Sequence, residues 1–136
     1  MNNLEYEDNR IIKKAVNRLN KLNDERYTYM LADVLMHRMY EEGVAPTPVE
    51  GDDLFIYEDG KGRLWFPLFT DEDEFEKGIT SPTYERVEIK RILKEGLDNP
   101  DVRGVIINPF GESRKLLKST LEMTFLVYKK EYNIEE

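Results

Sequence analysis

The sequence predicts an α+β domain in which an N-terminal helical hairpin packs on a small mixed β-sheet with further helices. Three observations carry that expectation. Apolar residues recur at intervals of three and four over residues 9–42, the period of an amphipathic helix. Two short blocks, Leu64-Trp65-Phe66-Pro67-Leu68-Phe69-Thr70-Asp71 and Gly104-Val105-Ile106-Ile107-Asn108-Pro109-Phe110-Gly111, each read as an apolar strand running into polar turn chemistry. A helical pattern separates them. At 136 residues, 40% apolar and 35% charged, the chain can bury a real core beneath a heavily charged surface. It reads as one domain over 1–136, with the hairpin at 9–42 and the sheet-containing part at 44–132.

The first helix runs from Asn9 to Asn23, with Ile12, Ala15, Val16, Leu19 and Leu22 at helical spacing and Asp8 placed to cap its start. Asn23-Asp24 interrupts the pattern, and Asp24 can cap a second helix from Glu25 to Glu42. That helix carries Tyr27, Met30, Leu31, Val34, Leu35 and Met39 on a broad face, and Gly43 stands where a C-terminal glycine is expected. A link this short implies an antiparallel pair.

Pro46 and Pro48 force an extended segment. Leu54-Phe55-Ile56-Tyr57 then reads as a strand, Glu58-Asp59-Gly60-Lys61-Gly62 as a turn, and Arg63 to Phe69 as the returning strand of a β-hairpin. Pro67 cannot donate to a ladder, so its strand is at an edge on that side or carries a bulge. Thr70, with Asp73 three residues on, resembles a capping box for a short helix closed by Gly78. Thr80-Ser81-Pro82-Thr83 reads as loop and Tyr84 to Val87 as a short strand. Glu88 to Leu97 reads as a helix ended by Asn99-Pro100-Asp101. Val105-Ile106-Ile107 is apolar enough to be a central strand covered on both faces. Ser113 is placed to cap a last helix bearing Leu117, Leu121, Phe125 and Tyr128. Its middle, Met123-Thr124-Phe125-Leu126-Val127-Tyr128, is rich in strand formers.

Composition weighs against several functions. A net charge of −8 opposes nucleic acid and anionic membrane surfaces, which are bound largely through Lys and Arg. No apolar run has the length of a membrane span. The acidic start, Met1 to Asp8, lacks the basic and apolar regions of a signal peptide. Zero cysteines exclude disulfides and thiolate metal sites, and a cytoplasmic location is expected.

The order of these elements resembles the N-terminal domain of the SseB family, described as type III secretion or enhanced-serine-sensitivity related. A family stretch of the form "dG…flPvFT" is matched by Asp59-Gly60 and by Arg63 through Thr70. A later "GivlNP" is matched by Gly104-Val105-Ile106-Ile107-Asn108-Pro109. The resemblance covers Tyr29 to Met123. Many members carry a second, C-terminal domain that has no counterpart in these 136 residues. The resemblance implies an α+β fold and protein–protein work, with no catalytic residue list.

Candidate chemistry is sparse. The acidic run Asp71-Glu72-Asp73-Glu74-Phe75-Glu76 raises the question of a divalent cation, but acids at a helix start complement its dipole. A solvated helix start is the expectation, with an acidic docking patch for a basic partner as the other reading and no metal or cofactor. His37 is the only histidine, and Ser81, Ser113 and Ser119 each have a plain turn, cap or helix-surface role, so no triad is defined. Gly60-Lys61-Gly62 sits in a hairpin and matches no phosphate-binding fingerprint. Asn108-Pro109-Phe110-Gly111 fits a type I turn. Phe69, Thr70, Asp71, Asn108, Pro109 and Phe110 could border one groove at two strand ends, as a partner contact or a small-ligand or enzyme site. Eight Tyr, six Phe and one Trp lean towards interface use. The expected function is therefore non-enzymatic association with another protein or with itself, through an edge strand or the exposed face of the helical hairpin.

Overall fold

A computed structural model describes residues 4–80 and 84–134. Among them the architecture is α+β, as expected. The first described element is a 3-10 helix, Leu4–Asn9, that runs directly into helix α1, Arg10–Leu22. One stripe of α1, Ile12, Ala15, Val16 and Leu19, is buried. Asn23 adopts the left-handed conformation at φ 48° and its N–H closes the helix on Leu19 O at 2.9 Å. Helix α2, Arg26–Tyr40, returns against α1. Asp24 serves its start, since Oδ1 accepts the Arg26 N–H at 3.0 Å.

Two end signals act differently from expectation. Asp8 does not cap α1. Asn9 precedes the helix, and its side chain reaches away from the helix to Val44 and Thr70. At the end of α2 the left-handed residue is Glu42, at φ 58°, and not Gly43. Gly43 donates its N–H to Arg38 O at 2.8 Å, and an added Cβ there would lie 2.5 Å from the Arg38 guanidinium. Its small size leaves room for that side chain.

Strand β1, Val44–Thr47, contains Pro46 and pairs antiparallel with a later strand. The single strand expected at 54–57 is split. Strand β2, Val49–Glu50, pairs with β3, Asp53–Leu54, while β4, Tyr57–Glu58, pairs separately with β5, Leu64–Leu68. Helix α3 spans Glu72–Glu76. Strand β6, Glu85–Glu88, is the partner of β1, and helix α4 covers Ile89–Asp98. Strand β7, Gly104–Ile107, pairs parallel with β5, the helix-containing stretch between them supplying the crossover a parallel pair needs. Strand β8, Arg114–Leu117, follows antiparallel to β7, and helix α5, Lys118–Glu131, is the last described element. The largest sheet has the order β4-β5-β7-β8.

The strand β8 corrects the expectation that Ser113 caps a helix. Leu117 is 53% exposed, the helix starts at Lys118, and no side chain caps it. Leu116 belongs to the core and Leu117 does not, which is strand alternation. Pro67 is also resolved. Leu64 O and Leu68 O accept N–H groups from the β7 side, so even-numbered positions of β5 face β7 and the Pro67 nitrogen points the other way. There β4 pairing has already ended at Trp65. The strand is inner within the sheet, yet Pro67 removes no ladder bond.

The sheet is covered on both faces. Phe66, Leu68, Val105, Ile107 and Leu116 join the helices in the main core. Trp65 and Ile106 alternate to the opposite face and are 1% and 3% exposed. Gly104 enables the β7–β8 pairing: its φ is +152°, and an added Cβ would meet Leu116 O at 1.9 Å.

Candidate functional site

The two strand-end motifs meet as a buried polar latch. Asn108, left-handed at φ 47°, accepts the Thr70 N–H at Oδ1 (3.0 Å) and donates from Nδ2 to Thr70 Oγ1 (3.0 Å). The Gly111 N–H closes the following turn on Asn108 O at 3.1 Å, the i to i+3 bond expected there. Phe69, Thr70, Asp71 and Asn108 are buried, and Pro109 and Phe110 are half-buried. The Phe110 ring stacks on Phe69 at 5.7 Å, and Phe69 meets Phe75 edge-on at 5.5 Å. The six positions singled out from sequence are thus neighbours. The polar groups of Thr70 and Asn108 are engaged with each other.

The acidic run behaves unlike a solvated helix start. Asp71, not Thr70, is the N-cap of α3, accepting the Glu74 N–H at 2.9 Å, and Asp71, Glu72 and Glu74 are buried. Lys13 of α1 reaches Glu74 Oε2 at 2.7 Å and Asp71 Oδ2 at 3.5 Å, and Lys77 donates to Glu74 at 2.8 Å. Burial pulls the Lys13 ammonium down, but the Glu74 hydrogen bond and the charges of Asp71 and Glu74 outweigh it, so its pKa lies above the ordinary lysine value. The Tyr84 hydroxyl donates to Glu72, and that bond, with burial, holds the phenol well above its usual range. These carboxylates tie α3 to α1 and to the start of β6. Among the described residues no grouping is suited to hold a metal ion.

Around this region sequence reading missed two polar hubs. Asn9 is fully buried: Nδ2 donates to Val44 O (2.8 Å) and Thr70 O (3.1 Å), and Oδ1 accepts from Arg38 Nε (2.8 Å). Asp59 organises the β4–β5 loop. Its Oδ1 accepts the N–H groups of Lys61 and Arg63, and its Oδ2 accepts from Arg63 Nε, the Trp65 indole and Lys115 Nζ. Burial pushes the Asp59 carboxyl up, but these donors outweigh it and hold it well below the usual carboxylate range. The Asp59-Gly60 pair announces a turn locally; nothing local announces the Trp65 and Lys115 contacts.

His37 lies exposed on α2, its Nε2 3.4 Å from Glu41 Oε1. Ser113 and Ser119 are on the β8–α5 surface, and Ser81 lies outside the described residues.

The feature most suited to meeting another molecule lies between α2 and α5. Their C-terminal ends meet where Tyr40 stacks on Tyr132 at 4.3 Å. Further along, a groove of about 540 Å³ is floored by Met36, Ala32 and Thr124 and walled by Tyr29, Met123 and Val127. Helix α5 buries Leu121, Thr124, Phe125 and Tyr128 on one side. On its other side Met123, Leu126 and Val127 are 55%, 63% and 41% exposed, and Tyr29 across the groove is 67% exposed. A helix apolar on both sides is usually covered on both. The signal was present in the run Met123 to Tyr128, which reads as strand-like when its true property is two apolar helix faces.

No helix among the described residues is long and apolar enough to cross a membrane. No family model, no curated protein and no solved structure matches this chain.

Proposed function

We propose that this chain is a non-enzymatic protein-interaction module or accessory subunit of SseB-like type, working in the cytoplasm, and that the α2–α5 groove is its docking surface. One observation carries the reading: α5 is apolar on both sides, and the chain covers only one. Full burial of side chains the size of Met, Leu or Val is worth about 1.5–3 kcal/mol each. Met123 and Leu126 forgo more than half of that in the isolated chain, and Val127 somewhat less than half. Contiguous exposed apolar surface of this kind marks interaction sites. The resemblance to SseB-like domains and the absence of a recognisable catalytic constellation in the sequence point the same way.

Site-specific photocrosslinking in the native cell tests this. A photoreactive residue at Tyr29 or Met123 should give a discrete adduct with another protein, lost on Val127→Glu. The same probe at Lys61, in the exposed β4–β5 loop, should give none. Equal labelling from both positions, or turnover of a metabolite without any adduct, would replace this reading with the enzyme or small-ligand alternative.

A further inference from the structure

We infer that the occupant of the α2–α5 groove is an amphipathic helix of another protein carrying Lys or Arg at two positions seven or eight residues apart. The inference rests on the groove being the docking surface and goes further in naming its partner's chemistry. A trough between two packed helices accepts a third helix through apolar anchors at helical spacing. The floor and walls together supply that spacing: Tyr29, Ala32 and Met36 on α2, and Thr120, Met123 and Val127 on α5.

Charge selects the partner. Glu25 and Asp33 line the same groove, both exposed, and neither has an ion-pair partner among the described residues. Eight residues apart, Glu25 at the N-cap of α2 and Asp33 within it, they are separated by about 12 Å along the axis, a little over two turns. Arg26 pairs with Asp24 at 2.7 Å, whereas Arg114, which also lines the groove, donates to the neutral Asn20 Oδ1 at 3.3 Å and keeps its charge. The groove therefore sets two carboxylates against the single guanidinium of Arg114 beside its apolar walls, a net negative lining. A second copy of this chain is disfavoured, because each copy carries a net charge of −8 and like-charged surfaces repel. Exposed ion pairs each give about a two- to fivefold preference, so two together give roughly tenfold.

The test uses the full chain and a display library of helical peptides with leucines fixed at helical spacing and the remaining positions random. Selection should enrich peptides with a surplus of Lys and Arg at the predicted separation. Their binding should weaken about tenfold in Glu25→Gln/Asp33→Asn and fall with added salt. Both substitutions are at exposed sites, and circular dichroism checks that the variants fold. Enrichment of neutral or acidic peptides, or equal binding to the double variant, would overturn the basic partner while leaving the groove as the docking surface. Enrichment no better than on Met123→Glu/Val127→Glu would remove the groove itself. A dimer in light scattering that Met123→Glu dissociates would make the occupant a second copy and overturn the inference.

Discussion

Asn9→Asp isolates what the buried junction at the start of α1 contributes. Asn9 lies where the first helix, the end of α2, strand β1 and the end of the Phe69-Thr70 motif converge, and it is fully buried. Asp has nearly the same shape, so the substitution leaves no cavity and changes only the hydrogen bonding. At neutral pH the carboxylate has no donor. The carbonyl oxygens of Val44 and Thr70, now 2.8 and 3.1 Å from Nδ2, lose that partner and face a negative charge. Each buried polar group left unpaired costs about 1–3 kcal/mol. The Arg38 contact at 2.8 Å is retained and becomes an ion pair, which returns about 1 kcal/mol. The net expected loss is about 1–5 kcal/mol, centred near 3. Urea unfolding followed by the fluorescence of Trp65, the sole tryptophan and 1% exposed, reads this directly. The midpoint should fall while the slope stays constant. A loss below about 0.5 kcal/mol would refute the assignment of Asn9 as the junction's hydrogen-bonding centre.

Three further outcomes follow from the same structure. Gly104→Ala should break the β7–β8 pairing, because the new Cβ would sit 1.9 Å from Leu116 O; normal amide-exchange protection across Val105 and Leu116 would contradict this. Ile106→Ala should cost about 2–5 kcal/mol through lost burial plus a cavity, measured by denaturant titration, and a change below about 0.5 kcal/mol would place Ile106 outside the core. Because the Asp59 carboxyl titrates below its unfolded value, its contribution is present above about pH 4 and is lost as pH falls further. Asp59→Asn should therefore be less stable than the native chain at pH 7, with the gap narrowing between about pH 4 and 2; a constant gap across that range would contradict the assignment.

What the sequence determined by itself was local or periodic. The spacing of Ile12, Ala15, Val16 and Leu19 marks α1 because burial on one side of a 3.6-residue helix leaves that trace. The apolar run Val105-Ile106-Ile107 marks a central strand because only a strand covered on both faces can drop its alternation. Asp24 and Asn23 act through their own neighbours, so their roles were legible. Tertiary structure decided everything that depends on a distant partner. Strand β8 was hidden because Arg114 to Leu117 continues the apolar period of α5; its extended state comes from pairing with β7. The Asp71 and Glu74 carboxylates look solvated until Lys13, some sixty positions away, is brought to them, and Glu72 until Tyr84 reaches it. Asn9 and Asn108 are ordinary polar residues in the sequence; what makes each a hub is carbonyl and amide groups supplied by other elements. The α2–α5 groove is the clearest case. Helical spacing reveals which residues of α5 share a side, but only packing decides which of its two apolar sides the chain covers and which it leaves to another molecule.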